Sequence, residues 1–122
     1  MKNSPKVMIV EDEAITAKCL KMDLEELGII VLNPVAKGED AVKIALQEKP
    51  NLILMDIRLA GGMDGVEAAE EIIRQMNIPI VFMSGFATDY IKQRTIKTQP
   101  IEFLAKPVDI YKIIQIIKAL QK

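Results

Sequence analysis

The sequence predicts an α/β domain built on a doubly wound five-stranded parallel sheet, and three observations carry that expectation. Short apolar runs alternate five times with helical stretches along the 122 residues. The third run, Leu52 to Met55, is apolar at every position, as a strand covered on both faces requires. No internal repeat or low-complexity tract interrupts the alternation, so a single domain over residues 1–122 is expected. Strands joined through helices imply right-handed crossovers, and five units favour an open sheet over a closed barrel.

The elements follow in order. Lys6 to Val10 is β-like, and Glu13 to Leu27 carries Ala17, Leu20, Leu24 and Leu27 at helical spacing until Gly28 ends it. Ile29 to Val35 is the second strand, and Gly38 to Glu48 a helix with Ala41, Ile44 and Ala45 on one side. After the third strand, Asp64 to Met76 places Val66, Ala69, Ile73 and Met76 on one face. Pro79 opens the fourth strand, Ile80 to Met83, followed by a polar helix over Thr88 to Ile96. Ile101 to Leu104 is the fifth strand, and Asp109 to Leu120 the last helix, with Ile110, Ile113, Ile114 and Ile117 inward.

Composition narrows the function. Sixteen basic against seventeen acidic residues exert no global pull on nucleic acid, although the stretch from Gly85 onward holds seven Lys/Arg against three Asp/Glu. That local bias suits a protein partner rather than direct contact with DNA. With one cysteine, Cys19, and no histidine, an internal disulfide, a structural zinc site and a His-based triad are excluded. No signal peptide or membrane-spanning apolar run is evident, so no membrane association and a cytoplasmic location are expected.

In open α/β sheets ligands gather outside the carboxyl ends of the strands. Here those ends carry Glu11 and Asp12, then Asp56, then Ser84, then Lys106 with Pro107. Each has an ordinary explanation alone: acids at a helix start, a turn carboxylate, a turn hydroxyl, a solvated lysine. Together they are a constellation. Crowded carboxylates repel by roughly 4 kcal/mol per pair at 4 Å and an effective dielectric near 20, so they share protons or hold a cation. An all-oxygen donor set suits Mg²⁺, with Mn²⁺ as the alternative.

The pieces "IVEDE", "LILMD", "MSG" and "FLAKP" resemble the receiver domain of two-component response regulators, over essentially the whole chain. The resemblance implies a flavodoxin-like (βα)5 fold with strand order 2-1-3-4-5. It implies that Asp56 accepts a phosphoryl group and that Glu11, Asp12, Asp56 and the backbone carbonyl of Arg58 hold Mg²⁺. Ser84 and Lys106 would bind phosphoryl oxygens, Ser84 and Phe103 would form the switch, and the Lys106–Pro107 bond would be cis. Asp56 and Lys106 are then the catalytic pair of a protein that is not an enzyme beyond its own phosphoryl uptake and hydrolysis.

Because the chain has no histidine, the donor must lie elsewhere, on a sensor histidine kinase or phosphotransfer protein or on a small phosphodonor. The implied output face is helix four, strand five and helix five, where Lys92, Arg94, Lys97, Lys112 and Lys118, with Tyr90 and Ile116, suit a downstream effector or a second copy. The same sequence fits a free-standing regulator and the receiver part of a hybrid kinase or larger regulator.

The chain departs from the family pattern at Ala60, where a proline is common, and has one extra residue before Asp64-Gly65. Gly61 and Gly62 are expected to absorb it through backbone angles other residues avoid. Gly85 stands where alanine is frequent, and Phe86 is bulky for its position. Aspartyl-phosphate phosphatases are disfavoured because their second acid is Arg58 here, and flavin binders because three acids follow strand one. A receiver-like docking module that works without phosphorylation is the remaining rival.

Overall fold

The computed structural model describes residues 5–85 and 88–121; Phe86 lies outside them. Strands β1 (Lys6–Val10), β2 (Ile30–Val31), β3 (Leu52–Asp56), β4 (Ile80–Ser84) and β5 (Glu102–Ala105) alternate with helices α1 (Ala14–Glu26), α2 (Gly38–Glu48), α3 (Gly65–Gln75), α4 (Asp89–Thr95) and α5 (Ile110–Leu120). The strands form one parallel sheet in the order β2-β1-β3-β4-β5, as expected.

Strand alternation divides the core between the two faces. On one side Met8, Val10, Ile53, Met55, Ile80 and Phe82 pack with Ala41 and Ala45 of α2 and Val66, Ala69 and Ile72 of α3. On the other, Val7, Ile9, Leu52, Leu54, Val81 and Met83 pack with Ala17 and Leu24 of α1 and Ile113 and Ile117 of α5. Each large side chain sealed here contributes about 1.5–3 kcal/mol. In α3 the innermost residues include Ala68 and Ile72, whereas the predicted Ile73 and Met76 are partly buried. The helix is therefore turned slightly from the face read in the sequence.

The second strand is shorter than expected, because regular pairing covers only Ile30–Val31. Pro34 has no N–H to offer a ladder. Beyond it Val35 rejoins β1: its N–H donates to the Ile9 carbonyl at 2.9 Å, and its carbonyl accepts from Glu11 N–H at 2.9 Å. That last bond carries the sheet's order one residue past β1, to the first acid.

Helix α4 stops at Thr95 and tightens into a 3-10 turn, Ile96–Thr98. Thr88 caps its start by accepting from Ile91 N–H at 3.2 Å. Among the described residues, no helix is long and apolar enough to cross a membrane.

Candidate functional site

The parallel sheet brings the strand ends to one edge, and the acids meet there. Glu11 and Asp56 are buried at 3% and 4% exposure, while Asp12 faces solvent. One ligand oxygen from each of Glu11, Asp12 and Asp56 falls within 4.8 Å of the others. Lys106 reaches in from the end of β5, its Nζ donating to Glu11 Oε1 at 2.6 Å and to Asp56 Oδ2 at 2.9 Å. The Lys106–Pro107 peptide bond is cis.

Backbone donors hold the other carboxylate oxygens. Glu13 N–H donates to Glu11 Oε2 at 3.1 Å, and Arg58 N–H to Asp56 Oδ1 at 3.3 Å. Ser84, buried at the end of β4, lies in register with Ala105, and its carbonyl accepts Lys106 N–H at 2.9 Å. Five of the predicted site residues, Glu11, Asp12, Asp56, Arg58 and Lys106, are thus gathered round one pair of carboxylates, with Ser84 one strand away.

Electrostatics reflects the crowding. Burial pushes the Glu11 carboxyl above its ordinary value, and its contact with Asp56 pushes the same way, against lowering by Lys106 and Glu13 N–H. Burial pulls the Lys106 ammonium down, but hydrogen bonds to Asp56 and Glu11 outweigh it and leave the group above its ordinary value. The lysine is the internal counter-ion of a net negative site. A surplus of buried carboxylate with only oxygen donors fits a hard divalent cation, which Glu11, Asp12 and Asp56 would hold.

Phe103 sits deeper than the strand ends, paired with Phe82 in register, their ring centroids 6.4 Å apart. It is partly buried against the core, and Lys92 of α4 places its Nζ 5.9 Å from the ring centroid. The aromatic therefore contacts α4 and the sheet together.

The loop after β3 shows what sequence reading missed. Gly61 takes φ +93°, as expected, whereas Gly62 does not adopt a left-handed φ and has open space around it. One glycine, not two, supplies the unusual angle. The insertion is absorbed by laying the loop along α2: Ala60 bridges Lys37, and Met63 packs so closely on Gly38 that a Cβ there would lie 2.9 Å from it. Gly65 is more tightly constrained. A Cβ on it would sit 2.0 Å from the Asp56 carbonyl oxygen, and its N–H donates to the Ile57 carbonyl at 2.8 Å. Asp64 beside it forms a capping box with Glu67, a spacing visible in the sequence, and an ion pair with Arg94 at 2.8 Å, which is not.

The family model of the response regulator receiver domain matches residues 7–118. The transcriptional regulatory protein PdtaR of Mycobacterium tuberculosis H37Rv is 32% identical over 113 residues, covering 93% of this chain and 55% of that protein. The phyllosphere-induced regulator PhyR of Methylorubrum extorquens is 32% identical over 102 residues, covering 83% of this chain and 38% of that one. The chain thus spans about half the length, or less, of these curated relatives.

Among solved structures, the receiver domain of a modulated diguanylate cyclase from Desulfovibrio desulfuricans G20 superposes with a TM-score of 0.89 at 36% identity, over 97% of this chain and 94% of that one. The receiver domain of the sensor histidine kinase PA1611 from Pseudomonas aeruginosa PAO1, with a magnesium ion coordinated in its active site cleft, gives 0.86 at 27% identity over 98% and 100%. Motifs, topology and relatives agree, and the chain belongs to the response regulator receiver domain family.

Proposed function

We propose that this chain is a phospho-accepting receiver in which Asp56 takes a phosphoryl group, in a Mg²⁺-dependent reaction, from the phosphohistidine of a sensor kinase or phosphotransfer protein. The observation that carries the reading is the buried Asp56 at the end of β3, with Lys106 on one oxygen and Glu11 and Asp12 beside it. Glu11, Asp12, Asp56 and the Arg58 backbone carbonyl would hold the cation, which supplies positive charge against the oxygens of the transferring group. The magnesium in the cleft of the PA1611 receiver supports that assignment.

An Asp56 oxygen attacks phosphorus as the P–N bond to the donor breaks, and the departing imidazole keeps the electron pair. Lys106 follows the growing negative charge from the carboxylate to a phosphoryl oxygen, and the Ser84 hydroxyl donates to another. Asp56 exchanges one negative charge for about −1.5 to −2. Ser84 and Lys106 lie at the ends of neighbouring strands, so their shift draws the start of α4 inward and alters the room around Phe103.

The output surface is then α4, β5 and α5. Tyr90 and Tyr111 are exposed there, and Phe103, Lys112, Gln115 and Ile116 line a groove between β5 and α5. An effector or a second copy occupies that face in this reading. The test is intact mass after acetyl phosphate with Mg²⁺: one phosphoryl group on the parent and none on Asp56→Asn. Labelling that persists in the variant removes Asp56 as acceptor, and no labelling of the parent leaves a docking module that works without phosphorylation.

A further inference from the structure

We propose that Arg94 is a positioning residue that holds α4 in its resting place through Asp64, and that opening this ion pair shifts α4 toward its phosphorylated position. The inference rests on the reading of Asp56 as acceptor. Arg94 Nη2 lies 2.8 Å from Asp64 Oδ2, and both side chains are about 30% exposed. Asp64 is a firm anchor: its Oδ1 accepts from Glu67 N–H at 2.9 Å, while Glu67 Oε1 accepts from Asp64 N–H at 3.0 Å. The next residue, Gly65, is pressed against the backbone of Asp56, where even a methyl group would lie 2.0 Å from the carbonyl oxygen. The anchor therefore moves with the backbone of Asp56.

Helix α4 needs such an anchor. Seven residues are too few to be stable without tertiary contacts. Tyr90, Lys92 and Gln93 face solvent, Ile91 packs on the core, and Lys92 approaches Phe103 at 5.9 Å. The helix is thus pinned to the α3 cap on one side and leans on Phe103 on the other. In the same structure Lys106 bonds to Glu11 and Asp56, the contacts that the proposed phosphoryl transfer would redirect. The Arg94–Asp64 pair is made together with those contacts, and its energy is part of what a shift of α4 that follows Lys106 and Ser84 must overcome.

Two measurements on the full chain decide the matter. The first is amide hydrogen exchange of Ile91 to Thr95 without phosphodonor, in the parent, Arg94→Gln, Asp64→Asn and the double variant. Asparagine still caps α3, so Asp64→Asn removes the charge and keeps the cap. Each single variant should speed exchange in α4 by roughly two- to fivefold, the range a partly exposed ion pair supports, with first-turn α3 amides unchanged. The double variant should add nothing, because the pair is already gone. Unchanged α4 exchange, or additive effects, overturns the proposal.

The second is titration with beryllofluoride and Mg²⁺. Arg94→Gln should half-saturate at roughly two- to fivefold lower concentration than the parent, because less of the ligand's energy goes into moving α4. Equal or weaker binding overturns the proposal. If the parent itself binds no mimic, the coupling to Asp56 fails together with the acceptor reading. The exchange measurement, which needs no mimic, still tells that failure apart from failure of the Arg94 tether.

Discussion

The Lys106 ammonium donates to Asp56 Oδ2 at 2.9 Å, across fifty residues of chain and two strand crossings. The same nitrogen reaches Glu11 at 2.6 Å, so one cation serves two buried carboxylates. In the proposed reading, the point that takes on more negative charge when Asp56 is phosphorylated already keeps a positive charge.

Replacing Lys106 by alanine strands that acid pair. Breaking a fully buried pair costs about 3–5 kcal/mol, and with the Lys106 side chain 27% exposed solvent screening reduces the expected loss to about 1–2 kcal/mol without divalent ions. Added Mg²⁺ should recover more stability in Lys106→Ala than in the parent, since the cation takes over the lysine's role. Urea unfolding with and without Mg²⁺ measures both. Equal stability and equal recovery would reduce the lysine to a surface charge.

The raised Glu11 carboxyl makes a signed prediction for pH. Because its folded pKa lies above the ordinary 4.5, the folded state holds the proton more tightly than the unfolded chain does. Its contribution to stability is full below 4.5 and is lost as pH rises through the raised value. The stability of the parent relative to Glu11→Gln should therefore fall across that window in metal-free buffer. Denaturant midpoints for both proteins at several pH values check it; a difference that stays flat or grows with pH contradicts the assignment.

Two glycines in the loop and helix after β3 should respond to alanine to very different degrees. Gly65→Ala puts a methyl group 2.0 Å from the Asp56 carbonyl oxygen, where backbone must shift on both sides, so a loss of about 3 kcal/mol is expected. Gly62 has nothing within 4 Å, and Gly62→Ala should change stability by less than about 0.5 kcal/mol. The pair of thermal melts is a direct reading of how closely α3 seats on β3.

Beryllofluoride with Mg²⁺ should move NMR signals at Asp56, Ser84, Ile101 to Lys106 and α4 together. Moving a two-state equilibrium from 1:99 to 99:1 takes about 5.5 kcal/mol, and charge-assisted hydrogen bonds from Ser84 and Lys106 supply roughly 1.5–3 kcal/mol each. If the mimic binds and Phe103 and α4 stay still, the route from phosphate to the output face is not this one.

The sequence by itself determined the five β-α units and the identity of the groups at the strand ends. Short apolar runs bounded by turn residues and alternating with helical stretches fit buried strands, and an acid, a hydroxyl or a lysine that follows such a run escapes the core by lying at the sheet's edge. Glu11, Asp12, Asp56, Ser84 and Lys106 were legible for that reason, and Gly28 as a helix stop because its φ of +86° is glycine's own.

Tertiary structure alone decided the spatial partnerships. The 2.6 Å contact between Lys106 and Glu11 depends on the parallel sheet setting the ends of β1, β3 and β5 along one edge, where the long lysine side chain reaches past Asp56 on β3, and nothing local in either segment encodes it. Pro34's break in the second strand, followed by the Val35 bond that secures Glu11, depends on where β1 lies. Gly61 and Gly62 are identical letters in one loop, yet only Gly61 takes the left-handed angle, because loop path rather than composition sets φ. The same holds for Arg94, an ordinary surface arginine by sequence, which meets Asp64 because α4 packs beside the start of α3. Local propensity reads along the chain, whereas these contacts join residues more than twenty positions apart, and only the packed fold brings them within reach.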